Sequence, residues 1–186
     1  MYNITMILSN ITDFNKTDDY LPILNGLIII DIIVVYLILN NILYSNLVRR
    51  WYETYKFMAC FIDITTFFIS LIIARYVYSL WVSQNNSYGF TYSIPIFILI
   101  AIICQFLYDL FFAIIINNIS YGKNIIVDLF KKYANKYGVY AFIFNSICMG
   151  LVVLTASLCN KLSYNSNIIL FITLINLYPY LLYTTN

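Results

Sequence analysis

Apolar residues gather in five long runs, at about 23–44, 57–81, 94–116, 138–159 and 168–183, separated by short polar stretches. A helix needs about 20 apolar residues to cross roughly 30 Å of hydrocarbon, so each run is a candidate span, the last being the shortest. The stretches between them, 47–56, 83–93, 120–137 and 160–167, hold the polar residues whose backbone can be solvated outside lipid. Pro22 and Pro95 stand at the starts of the first and third runs, where a missing N–H costs little. The pattern predicts an all-α fold: a polytopic bundle of about five transmembrane helices. Residues 1–22 form a short tail and 23–186 a single membrane domain.

One polar stretch has a periodicity of its own. Over 123–137, Ile126, Phe130, Tyr133 and Tyr137 share one helical face, while Asp128, Lys131, Lys132, Asn135 and Lys136 share the other. This predicts an amphipathic helix lying in the membrane surface, with its lysines near anionic headgroups or a docked partner. Gly122 and Gly138 bracket it, where the chain turns into and out of the plane.

Composition agrees with a membrane protein: 62% of the 186 residues are hydrophobic and 10% charged, against about 25% charged in soluble domains. Formal net charge is only +2, so nothing points to nucleic acid. The basic residues cluster instead. Arg49, Arg50 and Lys56 fall in the first connection and Lys123, Lys131, Lys132 and Lys136 in the third, whereas the second has none, the fourth only Lys161 and the tail only Lys16. By the positive-inside rule the first and third connections are cytosolic, the N-terminus is outside and the C-terminus inside. The start of the chain lacks the basic n-region of a cleaved signal, so the first span reads as a signal anchor.

Four groups are costly where they stand. Asp31, Asp63, Arg75 and Asp109 lie inside apolar runs, at about 2.5–3.5 kcal/mol each near a helix centre, and should turn inward. Asp63, Thr66, Ser70 and Ala74 make one stripe, and Ala101, Gln105, Asp109 and Ala113 another. In the fourth run Gly138, Ala141, Asn145, Cys148, Val152, Thr155 and Cys159 make a seam of small and polar residues suited to close helix packing. Matched depth predicts an Asp31–Arg75 ion pair. Asp63 and Asp109 both fall nearer the cytosolic end, with Gln105 and Asn145 as candidate partners; if the two carboxyls face one another, they should share a proton or lock the helices. Asp31, Asp63, Arg75, Gln105, Asp109 and Asn145 thus form the expected intramembrane polar core.

Histidine is absent, and Cys60, Cys104, Cys148 and Cys159 form no C-x-x-C pair, which removes the usual haem, zinc and disulfide-exchange residues. No phosphate-loop glycine pattern occurs. With no nucleophile beside a base and no metal-ligand cluster, the expectation is a non-enzyme without catalytic, cofactor or metal site. N-x-[ST] triplets at Asn3, Asn10, Asn15, Asn85 and Asn118 serve as topology probes.

Trp51-Tyr52 with Phe57 and Asp63, Ala74-Arg75-Tyr76, Gln105 with Asp109, Gly122-Lys123-Asn124, Asp128-Leu129-Phe130-Lys131, Tyr133-Ala134 and Pro179-Tyr180 together resemble a family of uncharacterised multi-span membrane proteins of giant nucleocytoplasmic large DNA viruses. The resemblance covers about residues 31–183. It implies a compartment, a virion inner or host ER-derived membrane, rather than an activity. The composition, typical of an AT-rich genome, fits that membrane and equally a mitochondrial inner membrane. Two functions follow as expectations. One is a structural or scaffold protein that docks capsid or other membrane-complex proteins on its basic loops, as a monomer or oligomer. The other is a small transporter, channel or proton-relay subunit using the intramembrane carboxylates.

The orientation is testable. A tag placed before Met1 should resist a cytosolic protease and one placed after Asn186 should be digested; equal sensitivity of both would contradict five crossings.

Overall fold

The computed structural model describes residues 8–43, 45–85 and 93–183, and among these it is mostly helical, with no strand. Helix α1 spans Tyr20–Leu39, α2 Asn46–Tyr55, α3 Phe57–Asn85, α4 Ile94–Asn117, α5 Ile125–Cys159 and α6 Tyr164–Leu182. All but α2 are long and apolar enough to cross a bilayer. The chain is an all-α, multi-pass integral membrane protein of five candidate spans. Most of the connection at 83–93, including residues 86–92, lies outside the described residues, as do Asn3 and the side chain of Asn85.

Local chemistry sets the boundaries. Ser45 accepts the Val48 N–H, Asn124 those of Ile126 and Val127, and Ser163 that of Ser166, so α2, α5 and α6 begin on side-chain caps. The Ser163 cap starts α6 four residues before the expected fifth run, which removes the shortfall in its length. Gly122 takes φ +84°, a left-handed turn that glycine enters without steric cost. It brings the chain from α4 into α5, its N–H donating to Asp128 Oδ2 at 2.9 Å.

The surface helix expected at 123–137 exists as the first part of α5. Gly138 carries non-helical dihedrals (φ 12°, ψ −91°) and divides it from the spanning part, 139–159. A second short helix, α2, replaces what read as a polar loop. Val48, Trp51, Tyr52 and Tyr55 lie along one side of it; Trp51 and Tyr52 are buried, while Arg50 and Glu53 are exposed. Trp51 packs on Phe130 of α5 at 4.9 Å between ring centroids, and Phe130 on Phe112 of α4 at 5.5 Å. The two amphipathic segments thus close one end of the bundle together, the end that holds the seven clustered basic residues.

Helix α1 is the centre, packing against α2, α3, α5 and α6. Its closest approach is to α5. A Cβ built on Gly26 would lie 2.7 Å from the Ala156 backbone nitrogen, so only glycine fits. Around that contact Ile23, Leu27, Met149, Val153 and Ala156 are buried. The seam of α5 is therefore turned by about one residue from the expected stripe. Cys148, Val152 and Cys159 are buried and Ala141 and Asn145 half-buried as expected, but Gly138 is exposed, and half-buried Thr155 donates to its own Leu151 carbonyl at 2.8 Å. The cause is Gly26, which draws the face carrying Ala156 and Ser157 inward.

Gly26→Ala should lower stability in detergent by about 1–3 kcal/mol through overpacking, although alanine is favoured over glycine in helices by about 0.8–1 kcal/mol. Gly150→Ala, whose added Cβ would make an ordinary 3.7 Å contact with Ile98, should leave stability equal or higher. Thermal unfolding of both variants reads the sign.

Candidate functional site

Among the described residues, four sets of polar groups join the spans to other parts of the chain, while Thr66, Ser70, Ser146, Thr173 and Asn176 bond carbonyls of their own helices. At the end opposite the basic residues, Arg75 of α3 is fully buried. Its Nη2 lies 3.3 Å from Asp19 Oδ2, donates to the Lys16 carbonyl at 2.8 Å and also reaches the Asp13 carbonyl. The guanidinium sits 4.9 Å from the Tyr20 ring centroid. Asp19 immediately precedes α1, where a carboxylate is favoured by the helix dipole, and it also pairs with Lys16 at 2.9 Å.

The expected Asp31–Arg75 pair does not form. Asp31 lies twelve residues beyond Asp19 on the same helix, about 18 Å at 1.5 Å per residue. Matching depth by counting from the expected span ends placed the start of α1 level with the end of α3, whereas α3 continues well past it and residues 8–19 fill the space. That segment is an ordered cap rather than a free tail. Ile11 and Thr12 are buried, Ser79 bonds Thr12 and Phe14, Ser9 reaches Ser157, and Asn160 reaches Asn10.

In the second turn of α1, Asn25 donates to both Oδ1 and the carbonyl of Asn167 at 2.9 and 3.0 Å, tying α1 to α6. The charge-based reading omitted this buried pair because asparagine is so common in the chain. Asn25 stands at the edge of the first apolar run and Asn167 in the polar stretch before the fifth, so neither position marked them out.

Nearer the basic end, Asp31 Oδ2 accepts from Tyr178 of α6 at 2.7 Å, and the Cys60 thiol is within hydrogen-bonding reach of Asp31. Asp63 Oδ2 accepts from Trp51 Nε1 at 3.2 Å and from Tyr52 at 2.9 Å. Asp31 and Asp63 lie close enough for their charges to act on one another. Asp63 thus neighbours Asp31 instead of facing Asp109, because Trp51 and Tyr52 of the unexpected helix α2 occupy its inward side. Burial, then the Asp63 and Asp31 carboxylates, push the Tyr52 hydroxyl well above its ordinary range, keeping it a donor at neutral pH. Beside this set an apolar crevice of about 330 Å³ opens between α1, α3 and α6, lined by Ile28, Phe61, Ile64 and Ile175 among others.

Asp109 of α4 takes the amide partners expected for it. Gln105 Nε2 donates to Oδ1 at 2.8 Å and Asn145 Nδ2 of α5 to Oδ2 at 3.1 Å.

The basic face is smaller than its residue count implies. Lys131 is buried, donating to the Asn117 carbonyl at 3.5 Å and also to that of Ile119, and so covers the end of α4. Lys56, at the corner between α2 and α3, donates to the Leu182 carbonyl at 2.7 Å at the end of α6. Both satisfy carbonyls that a helix end leaves without partners. Arg49 pairs with Glu53 at 2.6 Å and also bonds Asn41. Arg50, Lys123, Lys132 and Lys136 remain exposed.

The chain matches no protein-family model, no curated protein and no solved structure.

A double-mutant cycle separates the two pairings of Arg75. Arg75→Gln and Asp19→Asn should each lower stability, by about 3–5 kcal/mol for the loss of one partner of a buried pair, with the double change recovering part of the loss. Arg75→Gln with Asp31→Asn should be additive to within about 0.5 kcal/mol. Thermal unfolding of the single and double variants decides between them.

Proposed function

We propose that this chain is a structural scaffold of a membrane, holding a five-span bundle rigid and presenting a small basic surface to partner proteins. The observation that carries the reading is how the intramembrane polar groups are used. Asn25 with Asn167 and Tyr178 with Asp31 join α1 to α6. Tyr52 with Asp63 joins α2 to α3, and Asn145 with Asp109 joins α5 to α4. Lys56 and Lys131 tie surface segments to helix ends. Interhelical hydrogen bonds of this kind stabilise a bundle and fix its register.

The docking surface is the exposed set Arg50, Lys123, Lys132 and Lys136, cytosolic by the positive-inside rule. The viral assignment, to a virion inner or host ER-derived membrane, rests on the resemblance of short motifs to those of giant-virus membrane proteins and on the composition. Capsid or membrane-complex proteins with acidic surfaces are the partners this face suits.

A proton-relay subunit is the second reading. It is favoured by one observation: Asp31 and Asp63 lie near each other with only neutral hydrogen-bond donors on their oxygens. The crevice beside them has an apolar lining, which favours lipid over a water path.

Reconstituted in liposomes, the protein should pass protons no faster than protein-free vesicles, and it should be abundant in the membranes of purified particles. A flux that disappears when Asp31→Asn and Asp63→Asn are combined would replace the scaffold with the relay.

A further inference from the structure

Asp109 differs from the other carboxyls of the bundle in what lies beside it. It is half-buried at the seam of α4 and α5, with Gln105 and Asn145 donating one hydrogen bond to each of its oxygens. Both donors are neutral. Gln105 is only 2% exposed, and its Oε1 accepts no hydrogen bond. One place in the membrane thus holds a carboxylate without a cation and, on the side chain bonded to it, a buried acceptor without a donor. A cationic N–H group meets the first of these needs, at the half-buried carboxyl.

The other elements packed around Asp109 supply no such group. From the surface part of α5, Tyr133 is near enough for Asp109 to act on its hydroxyl, which burial first and then the carboxylates of Asp63 and Asp109 push up to about 12, so it too is neutral. Lys131 on the same segment is turned to the Asn117 and Ile119 carbonyls. Among the described residues, no ion pair involves Asp109.

Nor can a second copy bring a cation there. Asp109 is eight residues before the end of α4, about 12 Å along the helix. The one basic residue deep within a span of this chain, Arg75, is buried against Asp19. The remaining basic residues lie in the tail, the surface segments and the turns. Around the carboxyl, α4 exposes Phe106 and Leu110 and α5 exposes Ile143, a face suited to another helix in lipid.

We propose that the α4–α5 seam at Asp109 is an intramembrane docking site for a transmembrane helix of a different protein, one carrying Lys or Arg at matching depth. The cation donates to Asp109, which Gln105 and Asn145 hold in place, while Phe106, Leu110 and Ile143 receive the apolar sides of the helix. This site is separate from the exposed basic surface and stands whether or not that surface binds a partner.

The test uses the full chain in liposomes with synthetic polyleucine helices carrying a single Lys, Leu or Asp eight residues from one end, with association read by energy transfer. The Lys helix should bind at least about fivefold more strongly than the Leu helix, and the Asp helix no better than Leu. Asp109→Asn, which keeps the size and shape of the side chain, should erase the Lys preference while thermal unfolding shows the bundle intact. Gln105→Leu should reduce the preference partway, and it decides the matter if Asp109→Asn fails to fold. Equal binding of Lys and Leu helices would overturn the proposal. So would a Lys preference that survives both substitutions, a disulfide between copies bearing Asn145→Cys in vesicles without peptide, or stabilisation by sodium or potassium alone that depends on Asp109.

Discussion

A polar side chain inside hydrocarbon has no water to turn to, so its hydrogen bonds must be found on another part of the same molecule. That constraint organises this bundle more than hydrophobicity does, since lipid tails are as apolar as Leu and give helices little reason to associate. Arg75 fixes residues 8–19 against α3, Asn25 and Asp31 fix α6 against α1, and Asp63 fixes the surface helix α2 beneath α3. The apolar contacts then complete what these bonds position. Gly26 against Ala156 is the tightest, because two backbones meet there.

The basic end shows the same constraint acting on backbone rather than side chains. Helices α4 and α6 both finish there, and each leaves carbonyls without intrahelical donors. Lys131 and Lys56 supply the donors from neighbouring elements. A lysine in a membrane protein's connecting loop is ordinarily read for topology or for partners. Here two of seven such residues are structural, and the surface left for partners is correspondingly narrower.

How far the fold was legible follows from which signals are one-dimensional. The lengths of the apolar runs and the placement of lysines and arginines are properties of the chain alone, so the five spans and their alternation were readable. Gly138 as the division between surface helix and span was readable for the same reason. Helix α2 was hidden by its charges: Arg49, Arg50 and Glu53 made 47–56 look like a solvated loop, although Val48, Trp51, Tyr52 and Tyr55 keep helical spacing after the Ser45 cap. Pairings across helices fared unevenly. Gln105 and Asn145, offered as partners to Asp63 and Asp109 alike, both bond Asp109, where i, i+4 spacing and a neighbouring hairpin settle depth and direction, while Asp63 takes Trp51 and Tyr52. Asp31 and Arg75 were mismatched because depth depends on where each helix begins, and the buried segment 8–19 shifts that origin. Which way a side chain points around a helix axis depends on all its neighbours at once, and no single run of sequence carries it.

The bonds between α1 and α6 impose an order on synthesis. Asn25 and Asp31 belong to the first span to emerge, yet their partners Asn167 and Tyr178 follow 142 and 147 residues later. While the residues between are made, α1 must therefore stand in the bilayer, or beside the insertion machinery, with an amide and a carboxyl awaiting α6. Arrival of α6 closes both bonds, and it brings Leu182 to Lys56 as well, so α6 acts as the fastener of α1 and of the corner between α2 and α3.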